Sequence, residues 1–339
     1  MINILSPRSR NFFSCLDSFL SAESDDPNFS TLGIQYYRAY YKEREFEDVS
    51  FFILIDDTPV LAFIGALESL DDASIRISAF GQPCFYVEPR DSYPIIQPAR
   101  KILKQKIEEF FSRENTVRIS YRDCLRNNCL SPVSQYLLGM GAVATPMFQQ
   151  EIDLTKSVSH LKQEVRKSYK SLINWGMKNL SIKILDASAI SFSQGNEFRK
   201  LHMQVAGRET RTEETWRIQH RMIENSNAFL VLGYHDNVLI TGAFFTMNRK
   251  YCYYGVSASK RELFDKPMSH SIVWSAILHA KERGCTCMIM GQQLYSGLEL
   301  STPTEKELNI STFKRGFGGE TKAEFLIEYP SDREIHKNR

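Results

Sequence analysis

Phe229-Leu-Val-Leu-Gly-Tyr-His-Asp-Asn-Val238-Leu-Ile-Thr-Gly-Ala-Phe-Phe245 is two apolar runs joined by a Gly-Tyr-His-Asp-Asn turn. Short runs of β-branched and aromatic residues bounded by turn formers read as strands, and two joined this closely read as an antiparallel hairpin. The same pattern stands about 177 positions earlier, as Phe52-Ile-Leu-Ile, Asp56-Asp-Thr-Pro and Val60-Leu-Ala-Phe-Ile-Gly-Ala-Leu67. Working outward, each hairpin is followed by a strand ending near a glycine, at 75–81 and 250–255. A helix with apolar residues at three- and four-residue spacing comes next, at 97–112 and 269–283. Another strand follows, at 116–121 and 285–290, then a glycine-bearing stretch and a closing strand, at 148–154 and 325–329. Helices lead into both hairpins, near 12–21 and 33–45 and near 192–205 and 211–225. One order of elements at a near-constant offset predicts an α/β chain built as a tandem repeat. Each copy is a mixed, mostly antiparallel sheet flanked by helices, with domains over 1–154 and 155–339.

Composition agrees with a packed chain of two domains. The 339 residues are 42% hydrophobic and 24% charged, which excludes disordered and collagen-like classes. Lys+Arg at 42 against Asp+Glu at 40 excludes a binder held to nucleic acid by bulk charge. The balance is uneven along the chain: residues 1–150 carry 15 basic and 19 acidic side chains, the remainder 27 and 21. The basic half is therefore where an anionic partner is expected. No apolar run approaches the ~18 residues that span a bilayer, and the first residues lack a signal peptide's apolar core. The seven cysteines, at 15, 84, 124, 129, 252, 285 and 287, form no CxxC pair or zinc spacing. Buried, unbridged thiols in a reducing cytosol are the expectation.

Three stretches of the second half carry a resemblance. They are Tyr253-Tyr254-Gly255-Val256-Ser257 at a strand end, Phe313-Lys314-Arg315-Gly316-Phe317-Gly318-Gly319-Glu320 before the last strand, and Val165-Arg166-Lys167-Ser168-Tyr169-Lys170-Ser171-Leu172-Ile173-Asn174 at its opening. Together they resemble the Fem-type aminoacyltransferases and the related FemAB-like or BioF2-like proteins, which are two GNAT acyltransferase units in tandem. The resemblance is most specific over 160–325. This chain has no charged heptad stretch, so it would be a member without the helical arm. The resemblance implies transfer of an amino acid from aminoacyl-tRNA to an amine of a cell-envelope precursor, an amino-sugar or peptide. It implies Lys314 as the catalytic cation. Attack on an ester carbonyl builds negative charge on oxygen, which a fixed cation stabilises more than the ground state.

Further candidates surround that lysine. Lys162, Arg166 and Lys170 fall at i, i+4 and i+8, one stripe on a continuous helix, with Leu161, Val165 and Leu172 inward. Such a stripe suits a phosphate backbone or pyrophosphate; it equally suits a solvated face. Arg208 and Arg211 match a substrate-binding arginine turn of the family, and Phe313 and Arg315 flank the lysine. Tyr254 and Ser257 are expected at the gap between strands, where an acyl group lies in GNAT enzymes. His270 precedes the helix bordering the donor site and reads either as a functional group or as a structural histidine. Gly316, Gly318 and Gly319 fit a turn needing positive φ or close backbone approach.

The donor is less legible. An acetyl-CoA enzyme of this fold holds pyrophosphate on a glycine-rich loop at a helix N-terminus. The matching stretch, residues 260–270, lacks those glycines and contains Pro267, though Ser269 could cap the helix and Lys260, Arg261 and Lys266 could meet phosphates. Aminoacyl-tRNA is ranked first, and acyl-CoA or an acyl-carrier protein second. A non-catalytic protein binding a nucleotide-linked precursor is the third reading. The first half has Leu138-Gly139-Met140-Gly141 where the second has the Phe-Lys run, so it is expected to bind acceptor. No motif calls for a metal or a resident cofactor.

Overall fold

The computed structural model describes residues 1–70, 74–89, 96–112, 117–126, 128–263, 266–297 and 302–329. The chain opens with β1 (Ile2–Leu5), α1 (Phe12–Glu23) and α2 (Thr31–Tyr40). Four strands follow, β2 (Phe46–Asp48), β3 (Phe51–Ile55), β4 (Thr58–Ile64) and β5 (Ala66–Ser69). Then come β6 (Ile75–Ser78), β7 (Phe85–Val87), α3 (Gln97–Ser112), β8 (Val117–Cys124), α4 (Pro132–Gly139) and β9 (Val143–Asp153). The second half runs α5 (Val158–Glu164), α6 (Lys167–Asn179), β10 (Ser181–Leu185), α7 (Phe192–Ala206), α8 (Glu213–Glu224), β11 (Ala228–His235) and β12 (Val238–Met247). It ends with β13 (Tyr251–Ser259), a 3₁₀ turn (Arg261–Leu263), α9 (Met268–Glu282), β14 (Cys287–Gln293), α10 (Glu305–Arg315) and β15 (Glu320–Tyr329).

The chain forms two compact units. One holds Met1–Ser24, Phe29–Met147 and the described residues from Ala323 on; the other holds Asp25–Asn28 and Phe148–Lys322. In the first, β1-β3-β4-β7 form one sheet and β15-β8-β6-β5-β2 lie in strand order. In the second the order is β10-β11-β12-β13-β14-β9. One parallel pairing recurs at the same place in each, β6 with β8 and β13 with β14, while the hairpins and the closing strands pair antiparallel. The closing strands are exchanged. Residues 148–153 of β9 complete the second unit on β14, and residues 324–329 of β15 complete the first on β8.

The repeat is visible in backbone conformation as well as order. The hairpin β3–β4 turns on Asp56 and Asp57, with φ of 48° and 59°, and β11–β12 turns on Asp236 and Asn237, with φ of 50° and 61°. Positive φ at both central residues is the type I′ turn, whose twist matches that of the flanking strands. Gly141 and Gly318, 177 positions apart, both carry positive φ, 99° and 93°. β3 and β11 are buried on both faces, which explains their unbroken apolar runs.

Several expectations are corrected. The helix expected over 33–45 stops at Tyr40, and residues 41–44 turn so that Arg44 reaches the buried carboxylate of Glu68 at 2.9 Å. Arg76 binds the other oxygen of that carboxylate at 2.9 Å, so a buried charge is matched from two sides. Two helices not expected there, α4 and α10, lead into the glycine-bearing stretches, α4 ending at Gly139 and α10 just before Gly316. None of the seven cysteines, all of them among the described residues, is in a disulfide, but only Cys84, Cys252 and Cys285 are buried, and Cys129 is exposed. No described helix is long and apolar enough to cross a membrane.

Candidate active site

β13 runs parallel to β14 only from Tyr251↔Cys287 to Tyr253↔Ile289. Beyond that pair the two strands part, as the extra residue of a bulge at Gly255 shifts the register of β13 against β12. β14 bulges too, between Ile289 and Gly291, where Gly291 has φ of +89°. A side chain there would be strained, and it would also be crowded. A Cβ on Gly291 would stand 2.9 Å from the Nζ of Lys314 and 3.5 Å from the Oη of Tyr253. The two polar heads therefore converge over a bare stretch of backbone at the point where the sheet opens.

α10 delivers Lys314 to that point. A capping box closes the helix N-terminus: the Thr304 hydroxyl accepts from the Glu307 N–H, and the Glu307 carboxylate accepts from the Thr304 N–H at 2.8 Å. Glu305 and Glu307 in the first turn and Lys314 and Arg315 in the last complement the helix dipole. The hydroxyl of buried Ser311 accepts the N–H of Leu294 at 3.0 Å, tying the helix to the residue after β14. Lys314 is half-buried, with its Nζ 3.5 Å from the Gln292 carbonyl oxygen. Among the described residues it has no carboxylate partner. Burial without a counter-charge holds its pKa below the ordinary lysine value of 10.5.

The rest of the Phe-Lys run builds the floor. Phe313 and Phe317 meet edge to face, ring centres 5.2 Å apart. Tyr169 stands 5.4 Å from Phe317, and His270 lies 4.4 Å from Tyr169 and 5.2 Å from Phe313, again edge to face. Gly316 permits this packing, because a Cβ there would fall 2.1 Å from Cε2 of Tyr169. Its own φ is −63°, so close approach and not a left-handed turn is what requires glycine. Gly318 and Gly319 are the left-handed pair that turns the chain into β15, with φ of +93° and +80°. A Cβ at Gly319 would lie 2.0 Å from the Glu151 carbonyl oxygen.

The other candidates divide by what they touch. The basic stripe does not exist as one helix face. α5 ends at Glu164, Val165 takes an extended ψ of 133°, and Arg166 is the N-cap residue of α6. The break lets Val165 bury itself while the Arg166 N–H donates to the Gly316 carbonyl at 2.9 Å. Arg166 is exposed, with its guanidinium 5.1 Å from the Tyr169 ring centre. Lys170 donates to the Gln163 carbonyl at 3.2 Å near the end of α5. Arg315 is exposed and lies over the Tyr295 ring at 5.4 Å.

His270 is a packed histidine. Its ring sits among Tyr169, Phe313 and Phe317, and burial holds its pKa below 6.5. Tyr254 is buried and stacked on Phe245 at 5.3 Å, on the face opposite Tyr253. Its neighbour Ser257 is exposed, within β13 opposite Ala243. Ser269 does not cap α9: Pro267 holds the N-cap position without a side-chain bond, and Ser269 Oγ lies 2.9 Å from Ser259 Oγ. Of residues 260–270, Phe264 and Asp265 lie outside the described residues.

A second cluster forms at the α7–α8 turn. Arg208 there is exposed. Arg211 sets its guanidinium 5.6 Å from the Trp216 ring centre, and its Nε and one Nη are buried without a hydrogen-bond partner. His202 packs on the same Trp216 at 5.3 Å. Its pKa is pushed down, first by burial and then by the Arg211 charge. Sequence reasoning missed Tyr253 and Gly291. Their only signal was the Tyr-Tyr-Gly run and one glycine inside a strand, and a glycine in a strand is a general sign of a bulge. Among the described residues no His, Cys, Asp and Glu cluster could hold a metal.

No sequence family matches the chain, and neither does any curated protein. Solved structures do match. FemX superposes with a TM-score of 0.71 over 99% of both chains at 13% identity. The C-terminal domain of a putative lysylphosphatidylglycerol synthetase from Agrobacterium fabrum gives 0.58 over 88% of each chain at 11% identity. L-PGS from Bacillus licheniformis gives 0.56 over 90% of this chain and 93% of its own, at 12% identity. The architecture is thus a tandem pair of GNAT-like α/β units. In its particular form it is the fold of FemX, shared from end to end.

Proposed function

We propose that the chain is an amide-forming N-acyltransferase. In this reading it passes an aminoacyl group from aminoacyl-tRNA to an amine of a cell-envelope precursor, an amino-sugar or a peptide. The observation that carries it is the convergence of Lys314 Nζ and Tyr253 Oη over Gly291, where β13 and β14 part. The acceptor amine attacks the ester carbonyl carbon, a C–N bond forms, and the carbonyl oxygen becomes negative. The Lys314 ammonium and the Tyr253 hydroxyl are donors for that oxygen. Collapse breaks the C–O bond, and the proton lost by the amine leaves with the ribose hydroxyl. A single such donor contributes about 2.7–4 kcal/mol to the transition state.

Unit roles follow from the repeat. At the 177-residue offset Lys314 corresponds to Leu137, which is fully buried in the first unit. That unit has no cation at the equivalent helix position, and acceptor binding is the role proposed for it. In the second unit, Arg211, with two buried nitrogens that lack a hydrogen-bond partner, is the candidate for an anionic group of a substrate that reaches this unit, the acceptor included. The name of the lysylphosphatidylglycerol synthetase, which shares the fold, declares an aminoacylated product. The cytosol, where charged tRNA is found, is the proposed compartment.

Acyl-CoA or an acyl-carrier protein is the second donor reading. It is favoured by the free N-terminus of α9 and by Lys260 and Arg261 beside it, and weakened by the Pro267 cap. The test supplies charged tRNA or acyl-CoA, with amino-sugar and peptide acceptors, to wild type and Lys314→Ala. Product in wild type that ribonuclease abolishes establishes the tRNA donor. Equal product from both proteins removes Lys314 from the mechanism. Consumption of no donor, together with binding of a nucleotide-sugar, would instead make the chain a binding protein.

A further inference from the structure

Away from Lys314, helices α7 and α8 and strands β11 and β12 enclose a cleft of about 40 Å³. Its walls are aromatic, from Phe198, Trp216 and Phe244, and its polar lining includes Arg199, Gln219 and His220. Each of these three side chains has one buried atom with no hydrogen-bond partner: Arg199 Nε, Gln219 Oε1 and His220 Nδ1. Gln219 is 5% exposed. A buried polar group left unpaired is destabilising, so three in one cleft ask for an explanation.

The chemistry of the three atoms is specific. Arg199 Nε–H can only donate, and the Arg199 charge is already matched by Glu209 at 3.3 Å and Glu213 at 3.7 Å. Gln219 Oε1 can only accept. His220 Nε2 faces the Glu224 carboxylate at 3.4 Å, which favours the hydrogen on Nε2 and leaves Nδ1 of the neutral ring as an acceptor. The three unpaired atoms therefore offer one donor and two acceptors, beside the lining residues Asn196, Glu213 and Arg217, of which the last two pair with each other at 2.7 Å. A primary carboxamide carries one acceptor and two donors on three heavy atoms. The volume suits it, since one water needs about 10–15 Å³ by the same measure.

We propose that this cleft binds a primary carboxamide, presented by a small amide or by the side chain of a glutamine-bearing peptide. Gly195 on α7 lets the group in, because a Cβ there would stand 3.2 Å from His220 Nδ1. The proposal does not rest on acyl transfer.

The test titrates the whole ¹⁵N-labelled chain with propionamide, propionate and a glycyl-glutamine dipeptide, following the Trp216 indole N–H by NMR. Saturable shifts with propionamide and not with propionate are expected. A dipeptide that binds tighter than propionamide assigns the amide to a peptide; a weaker one assigns it to a small molecule. Gln219→Leu should lose at least tenfold in affinity, with thermal unfolding run alongside to confirm folding. Gly195→Ala should also lose affinity, without loss of stability. No saturable shift would mean a cleft for water only, and equal binding of propionate, or unchanged affinity in Gln219→Leu, would overturn the proposal as well.

Discussion

Lys314 Nζ stands 2.9 Å, and Tyr253 Oη 3.5 Å, from the position that a Cβ on Gly291 would occupy. Gly291→Ala should therefore act as a remote Lys314 mutation. Left-handed φ costs a non-glycine residue about 1–3 kcal/mol, and the methyl displaces the ammonium. Expected is a fall in kcat toward that of Lys314→Ala, about 10²–10³, with the fold kept by circular dichroism. Wild-type turnover would show that the space over Gly291 is not the reaction site.

The lysine should set the alkaline limb of the pH profile. Its folded pKa lies below 10.5 through burial, so the ammonium that the proposed mechanism uses is lost as pH rises through that lowered value. Lys314→Arg keeps its charge at any accessible pH, and should shift the limb upward in kcat/KM measured from pH 7 to 11.

His270 should tie stability to pH in the opposite range. Its folded pKa is below 6.5, so near and under that value the unfolded chain binds the proton more readily. Stability is full above about 6.5 and falls as pH drops toward the lowered folded pKa; His202 and His279 add to the slope. Denaturant unfolding of His270→Phe between pH 5 and 7.5 should give a shallower dependence than wild type. An identical slope would show that the ring is not the group responsible.

Gly316→Ala should destabilise without touching the lysine directly. The new methyl would overlap the Tyr169 ring, and overpacking of this kind costs about 1–3 kcal/mol. Urea unfolding measures it, and Gly316→Ala with Tyr169→Leu should recover part of the loss if the overlap is the cause.

Arg211→Ala should weaken binding of an anionic acceptor more than it slows chemistry. Charge-assisted hydrogen bonds contribute about 1.5–3 kcal/mol, so KM should rise tenfold or more while kcat changes little. Arg211→Lys should recover only part, because a point charge cannot replace the planar fork. A change confined to kcat would place Arg211 at the chemistry instead.

Much of the fold was legible because hydrophobic period and turn residues are local. The pairs Asp56-Asp57 and Asp236-Asn237 marked both hairpins, and the helices at 97–112 and 268–282 lay within a residue of their expected spans. Lys314 was singled out only through the resemblance of the run around it. The single stripe of Lys162, Arg166 and Lys170 was misread because spacing on an assumed helix says nothing of the break at Val165, where the Arg166 N–H bonds the distant Gly316 carbonyl. Tyr253 and Tyr254 lie on opposite faces of β13, and only the packing of α10 decides that Tyr253 is the one beside Gly291.

By itself the sequence determined a tandem α/β chain whose second copy carries a Phe-Lys run that the first lacks. Near-neighbour spacing and the apolar pattern are enough for that. Only the tertiary structure decided that the closing strands are exchanged, that Gly291 leaves room for Lys314 beside Tyr253, and that Gln219, Arg199 and His220 meet at one cleft. Those relations join residues far apart in the chain, and their geometry is set by how sheets and helices pack rather than by any local run of residues.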